Sequence, residues 1–212
     1  MSRRPGRIRA IVAMLLLATG LWYLGGAAWI HAKAVLAQVL IAHAWAGNLD
    51  KGKPVERPWS WADTMPVARL EFVRQRKSMI VLAGESGRVL AFGPGHRQDS
   101  AVPGAPGNSV ISAHRDTHFA VLQTLGIGDP IQVENIEGRT VSYRVDRFEI
   151  IDEHDLSVTD QSGVDRLTLV TCWPFDAMAP GGSQRYVVFA GRVRDSDRKR
   201  AARSTAMLRG QD

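Results

Sequence analysis

After Pro66 the apolar residues come in short extended runs, and almost every run is closed by a turn rich in Gly, Pro, Asp or Asn. The runs are Val67 to Val73, Met79 to Ala83, Val89 to Phe92, Ser109 to Ala113, Ile131 to Asn135, Thr140 to Ile151, Leu167 to Cys172 and Tyr186 to Val193. The turns between them include Gly84 to Gly87, Gly93 to Gly107, Gly126 to Pro130, Glu137-Gly138 and Ala179 to Gly182. One short stretch, Phe119 to Leu125, reads as a helix. Eight such runs with one short helix exclude a helical bundle and predict a mainly β domain, an all-β barrel or sandwich, over 66–193.

The segment before it follows different rules. Ala10 to Ile30 is 21 residues without a charge, enough to cross a hydrocarbon core of about 30 Å at about 1.5 Å per residue. Arg3, Arg4, Arg7 and Arg9 precede it, so the positive-inside tendency places residues 1–9 in the cytoplasm and the rest of the chain outside. A cleaved signal peptide is the alternative, with Ala32-Lys33-Ala34 as a loose cleavage-like site; the apolar region is long for that role, and 10–30 is read as an uncleaved transmembrane anchor. His31 to Trp45 keeps helical spacing and is expected to continue the anchor as a juxtamembrane helix, with His31 and His43 as plain surface or interface positions. A linker rich in Gly, Pro and charge follows, so that 31–65 forms the juxtamembrane helix and linker. Its Trp59 and Trp61 are expected to pack on the domain or lie at the membrane interface.

Charge excludes one class of partner. The net +6 is concentrated at the ends, in the four arginines of 1–9 and in the basic tail 194–212, and the body between is nearly neutral. No nucleic-acid partner is expected of it. In the tail, Ala201 to Leu208 is expected to form at most a weak helix touching anionic lipid.

Cys172 is the only cysteine. It cannot form an intramolecular disulfide, so it is either inert packing or a reactive thiol. It ends the strand-like run LTLVTC and is followed by Trp173 and Pro174, which lacks the N–H to extend a ladder. A nucleophilic thiol needs an imidazole and a cation. Of His96, His114, His118 and His154, His114 stands out because it ends another strand-like run; His118 is the second candidate. Arg185 opens the final run 13 residues after Cys172, a length that suits a hairpin-like return to the cysteine. Arg115 and Asp116 are expected to form an ion pair beside His114.

With these residues in hand, TLVTC at 168–172 resembles the TLxTC signature of sortases, the membrane-anchored cysteine transpeptidases. The segments PWSWADTMPVARLEF (58–72), LAFGPGH (90–96), PGNSVISAHRDTHF (106–119), LVTCWPFDA (169–177) and PGGSQRYVV (180–188) look like the proteobacterial subgroup. The resemblance implies an eight-stranded β-barrel with short helices, preceded by the transmembrane helix. It implies cleavage of a C-terminal LPxTG-type sorting signal on a secreted protein, between Thr and Gly, and transfer to an amine acceptor. It makes Cys172 the nucleophile, His114 the acid/base and Arg185 the oxyanion or substrate stabiliser. His118 also falls in the matching HRDTHF segment, but the first histidine aligns with the catalytic one. Thr171 is counted as substrate-binding, through a hydrogen bond in the groove, with simple packing as its alternative. The location implied is the inner membrane, with the catalytic domain in the periplasm. No cofactor is expected: Glu134, Glu137, Glu149, Asp152, Glu153 and Asp155 form no compact cluster in the sequence, so the calcium activation of some sortases is not carried over. The rival classes are a peptidoglycan-acting L,D-transpeptidase or cysteine hydrolase, and a non-catalytic membrane-tethered β-barrel that binds a protein partner.

Overall fold

The computed structural model describes residues 5–49, 56–160, 163–177, 179 and 181–193. The basic tail, with its expected helix over 201–208, lies outside them. The chain divides into two units, 1–40 and 41–212.

The first unit is helical, part of a single helix α1 (Pro5–Asn48) that runs on into the second. Its 44 residues correspond to about 66 Å, roughly twice a hydrocarbon core. The stretch from Ile8 has a mean hydropathy of 1.8 and none of its most apolar window is buried, which makes it a candidate membrane span.

The second unit is built on eight strands closed into a barrel in the order β1-β2-β3-β4-β7-β8-β6-β5. They are β1 (Pro66–Phe72), β2 (Lys77–Ala83), β3 (Gly95–His96), β4 (Asn108–Ser112), β5 (Pro130–Asn135), β6 (Thr140–Asp152), β7 (Arg166–Trp173) and β8 (Gln184–Arg192). Pairing is antiparallel except between β2 and β3 and between β4 and β7. Closure leaves no free sheet edge.

Alternation along each strand sorts the side chains. Leu70, Phe72, Val81, Ile111, Ile131, Val133, Leu167, Leu169 and Val188 fill the interior together with Phe119 and Leu122 from the 3-10 helix His118–Thr124. The outer face of β7 and β8 is covered instead by the β6–β7 connection, where Val158 packs on Val187, Phe189 and Val170. That cover is held by polar bonds as well. Asn108 Nδ2 donates to Val158 O (2.7 Å) and Asp160 O (3.1 Å), and Thr168 Oγ1 donates to Asn108 Oδ1 (2.7 Å).

Two expectations change. Val89 to Phe92 is not a strand: Gly87–Leu90 forms a short helix, α2, whose start is capped by Ser86 Oγ accepting from Val89 N. Val89 and Phe92, three apart, lie on the face that meets Leu82 and Ile41, so helical spacing won over β-branching. The eighth strand is β3, inside what reads as the long turn Gly93 to Gly107. It is hard to see in sequence because it has two residues, and one is a glycine forced by space: a Cβ on Gly95 would lie 2.2 Å from Gly84 O. The other change concerns 56–65, which is not a loose linker. Ala62 and Thr64 are buried, Thr64 Oγ1 donates to Ala83 O (2.8 Å), and Trp59 meets Phe92 edge to face at 5.1 Å, while Trp61 is exposed.

The Asn108 network sets the first stability prediction. Asn108→Ala removes two donors and orphans the Thr168 hydroxyl at a site with 0% exposure, a cost of about 2–4 kcal/mol in denaturant melts; Thr168→Val, which keeps the shape, should cost about 1 kcal/mol. A second concerns acid. Burial alone would raise the Asp129 carboxyl, but Gly126 N–H, the Gln75 amide and the Arg74 guanidinium (2.6 Å) together hold it below the usual range. Its contribution is therefore present above the ordinary carboxylate pKa of about 4 and lost as pH falls through the depressed folded value. Asp129→Asn should flatten the acid side of the stability-versus-pH curve below about pH 4 and leave the neutral-to-alkaline side parallel to that of the parent.

Candidate active site

The position of the thiol follows from strand parity. Leu167, Leu169 and Thr171 face inward, so Cys172 faces outward with Val170. Two pairings then assemble the site. In the antiparallel pair, Cys172 lies directly opposite Arg185, and such partners project on the same face about 5 Å apart at Cα. In the parallel pair, Ser112 is level with Val170, and Ala113 N still bonds to Val170 O (3.2 Å). Carried two residues past that last pair, the same register sets His114 beside Cys172, and both line one groove. One row across β4, β7 and β8 therefore carries imidazole, thiol and guanidinium.

All three line a groove of about 310 Å³. Its floor is apolar, from Val110, Ala113 and Val170, and Ile151 and Val158 form one side. Leu90, Glu85 and Arg97 stand on the other. Glu85 is held by Ser112 Oγ (3.1 Å) and Arg97 (3.2 Å). Asp152 ends β6, and Glu153 and Asp155 lie in the connection just after it. The groove therefore offers apolar contact together with charged and hydrogen-bonding groups.

Arg185 is not free in this groove. Its Nη1 donates to Gly182 O (2.6 Å) and Gln184 O (3.0 Å), and its Nη2 to Glu153 Oε2 (2.7 Å). Of the five N–H donors of a guanidinium, these bonds use three. Arg115 does different work from the expected one. It is buried, and instead of pairing with Asp116 it donates to three carbonyls of the β7–β8 loop: Gly181 O (3.1 Å), Ala177 O (3.2 Å) and Ala179 O. A buried guanidinium needs acceptors, and a loop rich in glycine leaves its carbonyls bare.

Thr171, beside the thiol in sequence, is on the other face by the same parity. Thr171 also lines the groove, but its buried Oγ1 donates to Ala113 O (2.7 Å), which ties it to the segment leading to His114. His118 does not line the groove. Burial first, and then the charge of His114, hold its imidazole below the ordinary range. His96 is likewise buried, held below its usual range chiefly by burial, with Nε2 against Ala101 O (3.0 Å). His154 is exposed, with Nε2 3.9 Å from Glu153 Oε1. Among the described residues no three His, Cys, Asp or Glu side chains converge as a metal site would require. Glu153 and Arg115 carry no signal in the sequence. An acidic turn and a histidine-flanking arginine are ordinary surface features until the strands are closed.

Behind the row, on the inward side, Trp173 stacks on Tyr186 (5.6 Å), and Phe175 meets both edge to face.

Comparison with known proteins agrees with this fold. The sortase domain family model matches residues 71–193. Sortase D of Bacillus subtilis (strain 168) is 31% identical over 125 residues, which is 58% of this chain and 62% of that protein, so the chain spans less than two thirds of that relative's length. Among solved structures, sortase C-1 from Actinomyces oris is 27% identical with a TM-score of 0.54, covering 74% of this chain and 99% of that one. Sortase A from Corynebacterium diphtheriae, at 23% identity and a TM-score of 0.56, covers 74% of this chain and 84% of that one and shares the fold. The family model takes in more than half of the chain and every residue of the His114–Cys172–Arg185 row, and the chain belongs to the sortase family.

Proposed function

We propose that this protein is a membrane-anchored cysteine transpeptidase of the proteobacterial sortase type, which cleaves a C-terminal LPxTG-type sorting signal and transfers the secreted protein to an amine. The observation that carries this reading is the placement of His114, Cys172 and Arg185 in one groove by two strand pairings. The reading places residues 10–30 in the inner membrane, residues 1–9 with their arginines in the cytoplasm and the barrel in the periplasm, in keeping with the charge-free run behind Arg9.

The chemistry follows from the parts. The Cys172 thiolate attacks the Thr carbonyl carbon, forming a C–S bond and a tetrahedral oxyanion, to which Arg185 offers its two remaining N–H donors. Collapse breaks the Thr–Gly C–N bond, and the His114 imidazolium gives its proton to the leaving amine. The protein is then held as a thioester. The acceptor amine attacks that carbonyl, His114 takes back a proton, and the thiolate leaves. Peptide-bond energy is conserved in the thioester, so no nucleotide is consumed. An ordinary thiol ionises near pH 8.5. Thiolate and imidazolium must therefore coexist, and the rate has a bell-shaped pH profile. Thr171, through Ala113 O, acts as a strut between the strands of the nucleophile and the acid/base.

With an LPxTG peptide and an oligoglycine amine, the full-length chain in detergent should yield the peptide–amine adduct, and mass spectrometry should trap the acyl chain on Cys172. Cys172→Ala abolishes both products; hydrolysis with no adduct at any amine concentration would identify a cysteine hydrolase instead. His114→Ala should cost about 10²–10⁴-fold in kcat, and Arg185→Ala about 10²–10³-fold. Arg185→Lys keeps the charge without the planar fork and should recover only part of that loss in the same adduct assay.

A further inference from the structure

We propose that Glu153 is a positioning residue for Arg185, one that fixes the direction of the guanidinium and offsets its charge on Cys172; in its role in turnover, this rests on the transpeptidase reading above. The carboxylate and Arg185 Nη2 are 2.7 Å apart, with side chains 36% and 26% exposed. This is not a free surface pair, because both ends are fixed by the backbone. Glu153 follows directly on β6, its own N–H donates to Ser183 O (2.8 Å), and Ile151 is paired with Arg185 across β6 and β8. Arg185 is thus flanked by Cys172 on one neighbouring strand and by the Glu153 turn on the other.

Direction and charge are separable consequences. Gly182 O and Gln184 O engage Nη1, and Glu153 engages Nη2. Three bonds fix the plane of the guanidinium and with it the direction of the remaining two donors, which is the condition for stabilising an oxyanion without reorganisation. Removing the carboxylate leaves Arg185 held by Nη1 alone. Charge acts on the thiol. The guanidinium sets a positive charge on the strand position opposite Cys172, and the Glu153 carboxylate offsets part of it. The other groups facing the thiol are His114 from β4, Glu85 and Arg97 across the groove, and Asp152 and Asp155 on either side of Glu153. Asp152 and Asp155 are engaged by the N–H groups of His154 and Ser157, and Glu85 is engaged by Arg97 and Ser112. Glu153 alone among these acids binds the arginine opposite the cysteine.

Because Cys172 is the only cysteine, the pH dependence of iodoacetamide alkylation of the full-length chain reads its ionisation directly. Glu153→Gln keeps an acceptor for Nη2 and removes the charge. It should lower the alkylation midpoint by about half a pH unit or more and cost less kcat in the peptide–amine assay than Glu153→Ala does. Glu153→Ala removes both; kcat should fall about tenfold or more, with the peptide KM within about twofold. Added to Arg185→Ala, Glu153→Ala should cost nothing further, since its effect passes through the arginine. An unchanged or raised midpoint in Glu153→Gln, or losses that multiply in the double variant, would overturn the proposal. A parent protein that forms no adduct would overturn the transpeptidase reading instead, and the alkylation midpoints would still decide the coupling of Glu153 to Cys172.

Discussion

The parallel pairing of β4 with β7 is the constraint on which the site depends. Antiparallel neighbours end at opposite rims of a barrel; parallel neighbours end at the same one. Most of this barrel is antiparallel, and a purely antiparallel one would leave the ends of these two strands on opposite sides. The parallel contact brings the residue after β4 and the last residues of β7 to one rim. The β7–β8 hairpin then returns Arg185 to it. Parallel strands require a long crossover, and the connection from β4 to β7 contains the 3-10 helix, β5, β6 and the segment that covers the outer face. The groove wall is thus a by-product of the connection that the parallel pair demands.

Much of this was legible in the sequence because it depends on local pattern. Seven of the strand-like runs occur within a residue or two of their expected limits, since apolar alternation and glycine-rich turns act over a few residues. Cys172, His114 and Arg185 were found as residues at the ends of runs, and the structure sets them in one groove. What the sequence hid depends on spatial partners. β3 is two residues long and is defined by β2 and β4 on either side. The 87–90 helix is decided by a capping serine and by Leu82 and Ile41, which lie elsewhere in the chain. The orientation of Thr171 was readable in principle, since strand parity alone puts it opposite Cys172, yet its acceptor on β4 could not be read.

The arginines divide the electrostatic work. Arg97 neutralises Glu85 on one wall, and Arg185 meets Glu153 on the other. Arg115, the most buried of the three, meets no carboxylate and is satisfied by main-chain carbonyls alone. A guanidinium can accept this arrangement because its five donors fan out in one plane and match several carbonyls at once; an ammonium would leave some of them bare.

That tether has a consequence for how the loop between Cys172 and Arg185 can diversify. Arg115 grips peptide oxygens, which every amino acid possesses, and it touches none of the side chains at 177, 179 or 181 through these bonds. At 177 and 179 the loop's attachment is therefore indifferent to its wording, whereas Gly181, at φ 82°, holds its place by its backbone. Residues there can drift to suit a different acceptor or a different peptide while the anchor beside His114 goes on recognising the same backbone, so that novelty in what the groove admits need not disturb the alignment of the groups that react.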